Sequence, residues 1–248
     1  MSLLSLAVIG LAVLLSSFVS GVFGFAGGMI LLGVLLIFFD VPTAMVLFSV
    51  LVAAANIWRV VTWWRYINWQ IWFGYIAGGT VALLAWRAVE FVPSKALVYF
   101  LLGLLPFAIE VLPRTRQPSI EWRGVPTLCG MITVSLQLLA GNGGLFLDVF
   151  FQKSQIDRRT TVATKAVCQT FGNLARILYF GTVAGIDPAF PLWAFIPAML
   201  LAISGTVLAP KVLDRMTDES FRQWTRALLL TVGVIYLLRG AWLFWYGG

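Results

Sequence analysis

With 248 residues, 60% of them hydrophobic and 11% charged, and a mean hydropathy of +0.94, the chain is too apolar to fold as a water-soluble domain. Its apolar runs approach the roughly 20 residues that a helix needs to cross a hydrocarbon core, which excludes a barrel of short alternating strands. The net charge of +7 comes without any histidine, so a histidine proton relay is ruled out and the composition argues against a metal site.

The first predicted element, Leu3 to Phe39, is too long for one crossing and is broken by Gly24-Phe25-Ala26-Gly27-Gly28. It lacks the positive n-region of a secretory signal and its apolar run resumes at Met29, so it is read as part of the membrane domain. Ala44 to Trp64 follows, carrying Ser49, Asn56 and Arg59; then Ile71 to Val89, with Gly79-Thr80; then Ala96 to Leu112. A polar connector, Pro113 to Arg123, separates this half from a second that repeats it. There Gly124 to Phe151 is broken by Gly141-Asn142-Gly143-Gly144, and Thr161 to Phe180 carries Asn173 and Arg176 at the spacing of Asn56 and Arg59. Leu192 to Ala209 carries Gly205-Thr206, and Ala227 to Trp245 completes the set. Cys129 and Cys168 fall inside apolar runs and read as small buried residues.

The broken segments decide the predicted topology. In Gly124 to Phe151 about 16 residues precede the break and only about seven apolar ones follow, too few to span the core. A re-entrant hairpin that returns to its starting face fits, because irregular backbone is tolerated at depth where protein or a water-filled cavity satisfies it. Of the 17 basic residues, Arg59, Lys165 and Arg176 fall within apolar segments. With those three set aside, hairpins place eleven basic residues on one side and only Arg87, Lys95 and Arg239 opposite, the asymmetry that the positive-inside bias favours. The expected fold is therefore an all-α polytopic membrane protein of two inverted repeats, 1–112 and 124–248, joined by a cytoplasmic connector, 113–123. Each repeat is a glycine-tipped, broken or re-entrant helical hairpin plus three transmembrane helices. Topology accounts for the net charge, and no nucleic-acid partner is expected.

A glycine-broken segment repeated in two halves points to a transporter's binding site. Glycines at Gly27, Gly28, Gly143 and Gly144 would let backbone approach a ligand, and the short helices after them would aim N–H groups at an anion. The other reading is that these glycines only permit tight helix packing. After the second break, Lys165, Gln169, Asn173 and Arg176 fall within about an 80° arc, giving one polar, cationic helix face. Asn56 answers Asn173 in the first half, while Arg59 and Lys165 have snorkelling to the interface as an alternative. Gln137 and Asn142 flank the second tip as donors to an oxyanion. Asp148 needs a cationic partner, which Lys165 or Arg176 could supply; it reads either as a proton-coupling acid or as a structural or vestibule residue.

The two glycine clusters, each followed by a helix carrying a late Asn, resemble the sulfite exporter and organosulfonate permease family TauE/SafE over essentially the whole chain. The resemblance implies a multi-pass permease of the bacterial cytoplasmic (inner) membrane for small sulfur-containing anions such as sulfite, sulfoacetate or aryl sulfonates. Phe25 and Phe146, beside the tips, would suit an aryl or alkyl sulfonate. The expected partners are a small anionic substrate and the lipid bilayer, with a homodimer as a further option, and no cofactor is expected. A passive anion channel using the same site is the alternative. An enzyme is disfavoured by the absence of a P-loop and of any histidine- or serine-based constellation.

Overall fold

The computed structural model describes residues 3–23, 25–111, 118–183, 193, 195–209 and 216–246, and the regular elements among them are all helical. Before the connector lie α1 (Leu3–Phe23), α2 (Phe25–Phe38), α3 (Val41–Trp63), α4 (Trp69–Val89) and α5 (Lys95–Val111). After it lie α6 (Val125–Ala140), α7 (Gly144–Phe151), α8 (Arg158–Val183), α9 (Phe195–Leu208) and α10 (Asp218–Tyr246). Connector residues 113–117, the expected segment end at Leu112 and the expected start at Leu192 are outside the described residues.

Local chemistry sets the helix ends. Asp40 precedes α3 in extended conformation and Pro42 sits in its first turn, where a missing N–H removes no helical bond. The Asn68 side chain caps α4 by accepting from Ile71 N at 3.2 Å. The α6 helix closes on Gly141 at φ +74°, a left-handed conformation that favours glycine. Asp157 caps α8, its Oδ1 accepting from the N–H groups of Arg159 at 3.0 Å and Thr160 at 3.1 Å.

The Thr160 side chain foremost, with the backbone N–H groups of Thr160 and Arg159, holds the Asp157 carboxyl below the usual carboxylate range. A depressed carboxylate stabilises the fold above its unfolded pKa, and that contribution is lost as pH falls through the folded value. Asp157→Ala should therefore speed amide exchange in the first turn of α8 at neutral pH. The difference from the parent should shrink as pH falls below the usual carboxylate range.

Helix ends depart from the apolar runs in a consistent way. The last helix begins at Asp218 rather than Ala227, because a polar turn carrying Glu219 and Arg226 is helical without being apolar. Similarly α8 extends to Arg158 and Val183, beyond Thr161 to Phe180. By length and hydropathy, Val41–Tyr66 and Glu219–Tyr246 stand out among the described residues as long and apolar enough to cross a membrane alone. That is fewer than the three crossings per half expected from sequence. The shortfall has visible causes: α8 carries Arg158, Arg159, Lys165 and Arg176, α5 has 17 residues and α9 has 14. Such helices rely on neighbours to satisfy their polar groups.

The helices pack in pairs: α1 along α9, α4 along α6, α3 along α8 and α5 along α10. The α4 and α6 backbones touch, since a Cβ at Gly78 would overlap the Thr127 carbonyl and one at Gly130 the Tyr75 carbonyl. The short helices lie inside. Met29, Leu31, Leu32, Leu35 and Leu36 of α2 are all buried. Two tyrosines hold that helix by its carbonyls: Tyr236 Oη donates to Met29 O at 2.7 Å, and Tyr99 Oη to Gly33 O at 2.9 Å. Both broken segments double back. Gly27 sits against Ser16 and Ser20 while Leu35 shares a small void with Ile9, so α2 runs back along α1. In the second, Ile120 N donates to Phe150 O at 3.0 Å and Gln155 N to Glu121 Oε2 at 2.8 Å, joining entry to exit. Large apolar side chains such as Trp58, Phe73, Leu84, Ile196 and Trp245 are exposed, far more apolar surface than a water-soluble monomer shows.

Candidate functional site

The two breaks converge on one cavity of about 430 Å³. Gly27 and Gly28 of α2 and Gln137, Asn142, Gly143 and Gly144 around the second break line it. So do Asn56 of α3 and Lys165, Gln169, Asn173 and Arg176 of α8. The Phe25 side chain lies outside the described residues. Phe146 packs against the hydrophobic core, and the aromatic side chains at the cavity are Phe48 and Phe221 instead. An aromatic next to a turn looks well placed in sequence, but its helical position turns Phe146 away.

Arg176 is 1% exposed and is the largest of the fully buried side chains. Its Nε donates to Ser49 Oγ at 2.5 Å, one terminal nitrogen to the Gly141 carbonyl, and the other to Asn173 Oδ1 at 2.9 Å. Ser49 is free to accept because its own proton goes to Met45 O at 2.6 Å. The guanidinium carbon lies 4.7 Å from the centroid of the Phe48 ring, within cation–π range. Every one of these partners is neutral. Of the two cations offered to Asp148 by the sequence, Lys165 forms the ion pair, and Arg176 rests on the Gly141 carbonyl instead. Three basic residues, Arg59, Lys165 and Arg176, and one acid, Asp148, line the cavity among the described residues.

The glycines have different jobs. A Cβ at Gly27 would overlap the Ser16 carbonyl, and one at Gly143 the Thr133 carbonyl, so both are packing contacts. A Cβ at Gly28 would meet the Phe48 ring at 3.4 Å and Asn142 Nδ2 at 3.7 Å, ordinary contact distances at the cavity wall. The Gly144 N–H, expected to point at a ligand, is taken by Asn142 Oδ1 at 3.1 Å. That bond turns the Asn142 amide nitrogen across toward the first tip. Gln137 lies over Gly172, where any Cβ would overlap its amide, and its buried Oε1 has no hydrogen-bond partner. Sequence reading gave no binding role to Phe48, Phe221, Ser16, Ser20 and Thr206, which also line the cavity. The signal for the serines was their spacing of four on α1, which puts both on one helix face.

The chain matches the family model of the sulfite exporter TauE/SafE over residues 9–236. No curated protein and no solved structure matches it. The match covers both glycine breaks, both Asn-x-x-Arg segments and every residue placed around the cavity. It brings with it a membrane-integral setting and transport rather than catalysis, in keeping with the apolar helices described above. The chain therefore belongs to the TauE/SafE family of sulfite exporters.

Proposed function

We propose that the chain is a secondary transporter moving a small sulfur-containing anion (a sulfonate, sulfite or related oxyanion) across the cytoplasmic membrane. The anion binds in the cavity between the two glycine-broken tips and the polar faces of α3 and α8. One observation carries this: Arg176 is buried against neutral partners only, so the site holds a positive charge that an anion would compensate. Of five guanidinium N–H groups three are engaged, which leaves two for a ligand with several acceptor oxygens. Gly27, Gly28, Gln137, Asn142, Gly143, Gly144, Asn173, Gln169 and Asn56 complete the proposed site. Lys165 faces it through its pair with Asp148.

The transporter reading includes two inverted repeats, 1–112 and 124–248, around the connector 113–123. The pairing of helices supports this, because exchanging the halves turns α1 on α9 into α6 on α4 and maps α3–α8 and α5–α10 onto themselves. In a variant lacking Cys129 and Cys168, cysteines at Arg123 and Gln155 should label from the cytoplasmic face and one at Ser94 from the other. Labelling of 123 and 155 from opposite faces would overturn the re-entrant topology.

Function is tested by thermal-shift titration of the purified chain with sulfite, sulfate, thiosulfate, alkyl sulfonates and aryl sulfonates. A ligand at a hundred times its Kd should add about 2.7 kcal/mol of stability. No shift with any of these anions, or equal shifts in Arg176→Gln, would sink the assignment. Adjacent glycines separate binding from packing. Gly28→Ala should keep the parent's melting midpoint but weaken binding about fivefold, ~1 kcal/mol, whereas Gly27→Ala should destabilise the fold by about 1–3 kcal/mol.

A further inference from the structure

The Asn-x-x-Arg pair of α3 sits in the same cavity as that of α8 and makes the same internal contact. Arg59 donates to Asn56 Oδ1 at 3.4 Å, as Arg176 does to Asn173 Oδ1 at 2.9 Å. Asn56 is 1% exposed, yet its Nδ2 finds no acceptor. Arg59 takes part in none of the ion pairs among the described residues, and the acid of the cavity, Asp148, is held by Lys165. A buried amide donor beside a cation without a carboxylate is the chemistry of an anion subsite.

The α3 wall of the cavity between the two pairs is apolar. Phe48, Val52 and Ala55 all line the cavity and follow one another at helical spacing along α3, from beneath Arg176 to Asn56. Eight residue rises separate Phe48 from Asn56, roughly 12 Å along the helix. A single tetrahedral oxyanion displaces about two or three waters, on the order of 60–90 Å³. Most of the cavity of about 430 Å³ would stay unfilled.

We infer that Asn56 and Arg59 form a second anion subsite, so that the cavity takes a ligand anionic at both ends with an apolar middle. The inference rests on the proposed transport site and names its ligand class. The test is calorimetric titration of the full chain in nanodiscs with alkane-α,ω-disulfonates of two to six carbons, each against the monosulfonate of equal chain length. At least one disulfonate should bind about tenfold more tightly than its monosulfonate. Arg59→Gln should collapse that ratio toward one, and Asn56→Ala should reduce it independently. A ratio near one at every chain length, or a ratio unchanged in both variants, overturns the second subsite while leaving the first intact. Absence of monosulfonate binding in the parent overturns the transport site itself, and the second subsite with it.

Discussion

Arg176→Lys is expected to insert and to run as a monodisperse species, yet to bind sulfonates roughly a hundredfold more weakly than the parent. The guanidinium spans three neutral acceptors on three elements: Ser49 on α3, the Gly141 carbonyl at the second break and Asn173 on α8. It does so while lying over the Phe48 ring. A lysine keeps the charge but presents its donors from one atom, so it cannot hold that frame and still offer a parallel pair to a ligand. A lysine that keeps one contact and loses one charge-assisted bond, worth about 1.5–3 kcal/mol, accounts for a factor up to that size. Asp148→Asn is the control. Because Asp148 pairs with Lys165 and not with Arg176, its neutralisation removes a negative charge from the wall, and anion binding should persist. Isothermal titration of both variants decides the matter, and Arg176→Lys binding within twofold of the parent would make Arg176 a structural residue.

Gly130→Leu should have the largest effect on stability. A Cβ at Gly130 would overlap the Tyr75 carbonyl, which is backbone and cannot rotate away, and the neighbouring contact of Gly78 on Thr127 O prevents α4 from pivoting. The two helices must separate, which also pulls on the bond between Tyr75 Oη and Thr133 Oγ1 at 2.9 Å. Overpacking of this kind costs about 3 kcal/mol or more when backbone has to move. The expected result is a lower melting midpoint and poor recovery in detergent, with Gly10→Ala as the control because its Cβ would meet only the Leu201 side chain, at an ordinary 3.4 Å. A parent-like midpoint for Gly130→Leu would show that the α4–α6 contact is looser than its geometry implies.

Much of the site was legible because polar residues on an apolar background carry information that lipid-facing residues do not. Lys165, Gln169, Asn173 and Arg176 announce one helix face by spacing alone, and all four line the cavity. Glycine breaks located both tips. What could not be read was orientation within apolar stretches: Phe48 looks like any other apolar residue of α3, and only the fold puts it beneath a guanidinium. The same blindness led to Phe146, whose neighbourhood in sequence is the tip but whose side chain belongs to the core. Nor could spacing reveal that Asn142 would take up the Gly144 N–H, since a free donor and a capped one share a sequence. Helix ends failed where polar turns continue a helix past its apolar part, as at Asp218.

On the proposed two-repeat reading, the two Asn-x-x-Arg segments also bear on how the chain divides its charge. Aligning Asn56 and Arg59 with Asn173 and Arg176 brings Phe48 onto Lys165 and Ser49 onto Ala166. The ring and the hydroxyl that support Arg176 thus have no equivalent in its own half. Two identical copies of the second half, paired as α3 and α8 are now, would replace the ring by a lysine and the acceptor by a methyl group. Each buried guanidinium would then face another cation in a poorly solvated site. On the same proposed reading, covalent fusion followed by divergence would free one half to carry the charge and the other to cushion it, a division of labour closed to a dimer of identical halves.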